Sequence, residues 1–244
     1  AIVGDTTVGL TNYIFWMCVA LALLLACVLM FKKRQARGLV PQGIFVNGME
    51  YVVEFVRDDM CKSILGDTWK RHFPFLAAIF FFIVCNSIVG VIPGCHPGTG
   101  TIGVTAALAF CSFTYFIVVG CKRMGILGYI KSLAPKGVSF PMNVLVWAIE
   151  LVSTFLRLIT LAVRLFCNMF AGHVVMGTFA ILASLFVEPL LQGFSAAALG
   201  QAGASVFWVV LLIIIYLVEI LVGIIQAYVF TLLSAVYIQL VESE

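Results

Sequence analysis

The chain has 244 residues, of which 63% are hydrophobic and 10% charged, with a formal net charge of +3. Soluble domains carry nearer ~25% charged residues, and the mean hydropathy of +1.16 excludes an ordinary water-soluble globule. The charge is scattered, so no basic block suits nucleic acid and no acidic tail is present. The composition predicts an all-α integral membrane protein: one membrane domain over 1–244, with about five spanning helices and one amphipathic surface helix.

Tyr13–Phe31 is nineteen apolar residues without a charge, close to the ~20 that a bilayer needs. It lacks a small-residue cleavage site and reads as a retained helix rather than a signal peptide. Lys32, Lys33, Arg34 and Arg37 follow at once, which puts this end inside and the N-terminus outside. Residues 38–48 contain Pro41 and three glycines and read as a loop. Residues 49–71 set Tyr51, Phe55, Ile64 and Leu65 against Glu54, Arg57, Asp58 and Lys62 at helical spacing. That pattern predicts a helix on the inner membrane surface; a soluble connecting helix is the plainer alternative.

Residues 75–92 form the second span, interrupted near its outer end by Asn86 and Ser87. PGCHPGTG (93–100) is a turn-dense outer loop that would expose Cys95 and His96. Residues 101–121 return inside, where Lys122, Arg123, Lys131 and Lys136 repeat the basic signal. APKGVSFP (134–141) is a turn. From 142 to 187 the chain is apolar and free of proline. Those 46 residues make ~69 Å of helix, against a ~30 Å hydrocarbon core. The segment must tilt steeply, bend or break, with Gly172 and Gly177 as candidate bends. Residues 188–204 read as the outer turn, and 205–241 as a second over-long helix.

Eight cysteines are present without a CxxC pair. Cys18, Cys27, Cys85, Cys111 and Cys167 lie in apolar stretches and read as small buried hydrophobes, and no metal site is expected. No cofactor motif is present, and a phosphate-binding P-loop is missing.

The chemistry gathers in the two long helices. Glu150, Ser153, Arg157, Thr160, Arg164 and Asn168 recur at steps of three or four, so they share one helix face. An Arg at the centre of a membrane helix costs ~2.5–3.5 kcal/mol on insertion scales and is a functional hypothesis by default. Arg164 has Thr160, Leu161, Cys167 and Asn168 one turn away, none of them acidic. Its counter-charge must come from another segment or another protein. Arginine holds its proton, so Arg164 suits a gate beside a proton path rather than a station on it. Arg157 lies nearer the inner end, where it can snorkel. Glu219 and Gln226 are seven residues apart on the last helix, hence on one face. Glu219 can pair with His173 if the helices are antiparallel neighbours. The plainer readings stay open here: Glu150 as a helix cap, His173 as an interior histidine, Gln226 as helix–helix glue, and Ser153 and Thr160 as back-bonded hydroxyls.

At these residues the chain resembles subunit a of the F-type ATP synthase. RLFCNMFAGH, a Glu fourteen residues before its Arg, and EILVGIIQAYVF on the last helix carry the likeness. HFPFLAAIFFFIVCNSIVGVIP and GYIKSLAPKGVSFP extend it over about residues 40–242. The resemblance implies that Arg164 faces a carboxylate on a rotating c-ring. It implies that Asn168, His173, Glu219 and Gln226 line an outer half-channel, that Glu150 and Ser153 line an inner one, and that Arg157 supports them. It implies protons, the c-ring, peripheral-stalk b subunits and the lipid bilayer as partners, no cofactor, and ATP chemistry in other subunits. The implied place is an energy-transducing membrane, the bacterial plasma membrane being favoured over the mitochondrial inner membrane. A sodium-translocating version of the same subunit and a proton-coupled secondary transporter stand as alternatives, with a non-transporting assembly scaffold as a third.

Overall fold

The computed structural model describes residues 12–35, 44–92, 95, 97–125, 128, 142–192 and 196–243. Among them every element is helical: α1 (Asn12–Gln35), α2 (Ile44–Phe55), α3 (Ser63–Leu65), α4 (Trp69–Val91), α5 (Ile102–Met124), α6 (Met142–Gln192) and α7 (Ala196–Ser243). Five helical stretches among the described residues are long and apolar enough to cross a membrane. The aliphatic run in α7, LLIIIYLVEILVGII, is rich in β-branched residues that favour strands in water. In hydrocarbon each backbone N–H and C=O must be satisfied within its own segment, so such a run is helical.

The long helices alternate in direction. Lys32 and Lys33 at the end of α1, Lys70 and Arg71 at the start of α4, and Lys122 and Arg123 at the end of α5 mark one common basic end. The buried core lies between α4, α5, α6 and α7, with Leu76, Ile83, Phe116, Leu165, Phe230 and Ile238 at its centre. α6 and α7 pack along each other most extensively, followed by α4 with α7. α1 leans on α4 through Ala20, Val89 and Cys95. Large aliphatic side chains on α6 and α7, from Leu145 to Leu185 and from Val206 to Leu240, stay exposed, as a surface facing lipid or other membrane helices requires.

Several expectations change. The 38–48 loop is shorter, because α2 already begins at Ile44. The surface helix expected over 49–71 is not one helix. After α2 it passes through a π-helical stretch, Val56–Lys62, and a tight turn at Gly66 (φ +57°). The π geometry turns Val56, Met60 and Cys61 into the core, while Arg57 pairs with Glu54 and Asp58 on the exposed side. Trp69, Lys70 and Arg71 belong to α4 instead.

α6 runs unbroken through Gly172 and Gly177 to Gln192, and α7 resumes at Ala196. Most of the turn expected over 188–204 is therefore helix. Its alanines carry the best helix propensity, which outweighs the glycines. At 51 residues, α6 is ~77 Å long. Cys95 is buried rather than exposed, whereas Cys18, Cys111 and Cys167 are exposed on helix flanks. Small apolar side chains face lipid as readily as core. Arg37, Lys131, Lys136, His96 and the 134–141 turn lie outside the described residues.

Candidate functional site

The face of α6 divides into a neutralised part and an unpaired part. Arg157 Nη2 donates to Glu150 Oε1 at 2.9 Å across two helical turns. Its guanidinium also lies 5.2 Å from the ring centroid of Tyr237 on α7. Arg157 therefore does not snorkel as the sequence allowed, and Glu150 is not a simple cap: each neutralises the other. Ser153 lines an open groove of about 410 Å³ with Leu145, Ala148, Ile149, Val152 and Leu156. Thr160 donates back to Leu156 and Arg157 carbonyls, as its place in a helix interior suggests.

Arg164 is exposed and forms no ion pair with any described acidic residue. It shares its exposed surface with Val163 and Thr160. Of the two arginines on this helix, only Arg164 is exposed with no acidic partner among the described residues.

Beyond Arg164, away from the basic end, α6 and α7 approach at small residues. A Cβ on Gly172 would fall on the Glu219 carboxylate; glycine there is what admits the acid. His173, the next residue, donates its Nδ1–H to the Met169 carbonyl at 3.1 Å. Its Nε2 is buried without a partner, as are Glu219 Oε1, Asn168 Nδ2 and Gln226 Nε2. The expected His173–Glu219 hydrogen bond is absent, although Gly172 brings the two residues to one level. Gln226 is buried, 8% exposed, and lies two turns from Glu219.

α4 adds two residues to which the sequence reading gave no role. A Cβ on Gly223, one turn from Glu219, would come within 2.8 Å of Ser87 Cβ. Ser87 thus lies against the same stretch of α7. Ser87 Oγ and Asn86 Oδ1 are buried and unpartnered too. Their signal in the sequence was an adjacent polar pair in an otherwise apolar span.

Buried polar atoms are nearly always satisfied, and each one left bare costs about 1–3 kcal/mol. Five of these atoms, on Ser87, Asn168, His173, Glu219 and Gln226, lie along the stretch where α4, α6 and α7 meet and mark a polar zone that water would satisfy, whereas Asn86 Oδ1 faces Gly98. Among the described residues no group of His, Cys, Asp and Glu could hold a metal ion.

The family described as ATP synthase A chain matches residues 14–239. ATP synthase subunit a 2 of Prosthecochloris aestuarii is 35% identical over 98% of this chain and 70% of its own length. ATP synthase subunit a of Chloroherpeton thalassium is 36% identical over 97% of this chain and 67% of its own length. ATP synthase subunit a of Myxococcus xanthus is 34% identical over 96% of this chain and 73% of its own length. The chain belongs to the ATP synthase A chain family, the subunit a of the membrane sector.

Proposed function

We propose that the chain is the ion-conducting stator subunit of a rotary ATP synthase in a bacterial inner membrane, and that its ion is the proton. The observation that carries this reading is the division of α6. Arg157 is neutralised within the chain by Glu150, while Arg164 is exposed and unpaired. A fixed cation on a lipid-facing helix attracts a carboxylate and repels a free proton. The partner that fits is a carboxylate carried past on another subunit, the ring of c subunits. Peripheral-stalk b subunits would hold the chain against the torque.

The bare polar atoms of Asn168, His173, Glu219 and Gln226, with Ser87, form the outer half-channel. A proton entering there neutralises the ring carboxylate facing them. A neutral carboxyl can enter lipid without the cost of burying a charge, so the ring turns one way. On the far side of Arg164 the proton leaves toward Glu150 and Ser153, the inner half-channel. Arg164 draws the emptied carboxylate back and blocks a straight leak between the halves. Each charge crossing 100 mV yields ~2.3 kcal/mol, so several protons serve each ATP. The chain moves ions and makes no ATP itself.

The test is ATP-driven acidification of inverted membrane vesicles in sodium-free buffer. Wild type is expected to pump at full rate, and Glu219→Gln, which removes the titrating group, to slow pumping by about tenfold or more. Pumping that requires sodium would replace the proton by sodium. An unchanged rate in Glu219→Gln would remove that residue from the path.

A further inference from the structure

His72 is 0% exposed, yet it sits within the first turn of α4 at the basic end. Its Nδ1 is 3.0 Å from Tyr115 Oη on α5, and its Nε2 is 3.0 Å from Glu242 Oε1 on α7. The other Glu242 oxygen accepts from Thr68 Oγ1 at 2.6 Å, in the turn that leads into α4. The Tyr115 ring stacks on Phe75 of α4 at 3.8 Å. One imidazole thus joins three helices, and none of these residues is used by the proposed ion path.

We propose that His72 is a positioning residue: with Glu242, Tyr115 and Thr68 it locks the basic end of α7 to α4 and α5, and so sets the axial register of the helix that carries Glu219 and Gln226. This rests on the reading of α7 as an ion-lining helix. Apolar side chains sliding past one another in lipid discriminate poorly between registers, because no hydrophobic force drives helices together there. Polar contacts add to what the close approaches at Gly172 and Gly223 supply. At the basic end α7 is tied by the Glu242–His72 hydrogen bond and by that between Ser234 Oγ and Ser112 Oγ on α5 at 2.8 Å. The Arg157–Tyr237 contact adds a third tie, to α6. Glu219 Oε1 and Gln226 Nε2 have no hydrogen-bond partner of their own, so ties elsewhere along the rigid helix help to set their depth. A slip by one residue would move both by ~1.5 Å.

With Nε2–H donating to the Glu242 carboxylate, the Tyr115 hydroxyl donates to Nδ1, so both ring nitrogens are satisfied.

The test uses the intact complex in its membrane, with Ser112→Cys and Ser234→Cys as a register reporter. The rate at which oxidation links that pair is followed by mass spectrometry, beside ATP-driven proton pumping of the same variants without the reporter. His72→Phe is expected to slow linking about three- to twentyfold, the range that polar contacts between membrane helices span, and to slow pumping. The exchange variant His72→Glu/Glu242→His is expected to restore both, which a loss of packing volume alone would not permit. Linking at the wild-type rate in His72→Phe overturns the proposal. If that chain fails to accumulate, Glu242→Gln is read in its place, and an unchanged rate there overturns it equally. Normal pumping in Glu219→Gln would sink the ion-lining reading while leaving the linking result to stand by itself.

Discussion

Arg157 gives its charge to Glu150 and lays its guanidinium over Tyr237, whereas Arg164, seven residues further on, keeps its charge exposed. The difference lies in what each can reach, since both side chains have the same chemistry. A carboxylate two turns back lies within hydrogen-bond distance of Arg157, and nothing acidic in the described chain stands as near to Arg164. Glu219 shows the same dependence on neighbours. Its carboxylate occupies the space left by the missing side chain of Gly172. Gly172→Ala is therefore expected to displace the acid, because overpacking costs about 1–3 kcal/mol, and to slow proton pumping several-fold. Pairing it with Glu219→Asp, one methylene shorter, should recover part of the rate. Pumping at the wild-type rate in the single variant would show that the acid need not sit there.

At the scale of elements, α7 is held by small residues at one end and by polar contacts at the other. Gly223 allows Ser87 of α4 to touch its backbone. In an unconstrained helix Gly→Ala stabilises by about 1 kcal/mol. At Gly223 the sign is expected to reverse, since the new methyl meets Ser87, and Ser87→Gly should cancel the loss. Thermal inactivation of the detergent-solubilised complex measures this; a higher midpoint in Gly223→Ala would contradict the close approach. Such contacts explain what the sequence could and could not convey. The spans were legible because apolar length is a property of a segment alone. So was the loneliness of Arg164, which follows from the residues one turn away. The break at Gly66 and the π-helical stretch were not legible, because Val56, Met60 and Cys61 are turned inward by a core made of other helices. The Glu150–Arg157 pair was half legible: the spacing puts both on one helix face, but the side-chain conformation that closes two turns depends on the packing around Tyr237. The placing of Ser87 depends on a helix more than 130 residues away.

Across the whole molecule, charge and polarity are distributed along the helix axes. Lysines and arginines crowd one end, a neutralised Glu150–Arg157 pair stands nearest them on α6, Arg164 comes next, and the bare polar atoms lie beyond it. This order is the one that two offset half-channels separated by a fixed cation require. A secondary transporter would need an enclosed substrate pocket between repeated halves; the grooves on α5 and α6, such as the one between Ala106 and Ala162, are open and apolar. Assembly alone would leave an exposed, unpaired Arg164 with no counterpart. The central claim is that this one cation gates ion flow and that its neighbour Arg157 does not. It is tested most directly by ATP synthesis in energised vesicles from Arg164→Ala and Arg157→Ala strains. Arg164→Ala is expected to abolish synthesis while Arg157→Ala retains a measurable rate; full synthesis in Arg164→Ala would contradict the account.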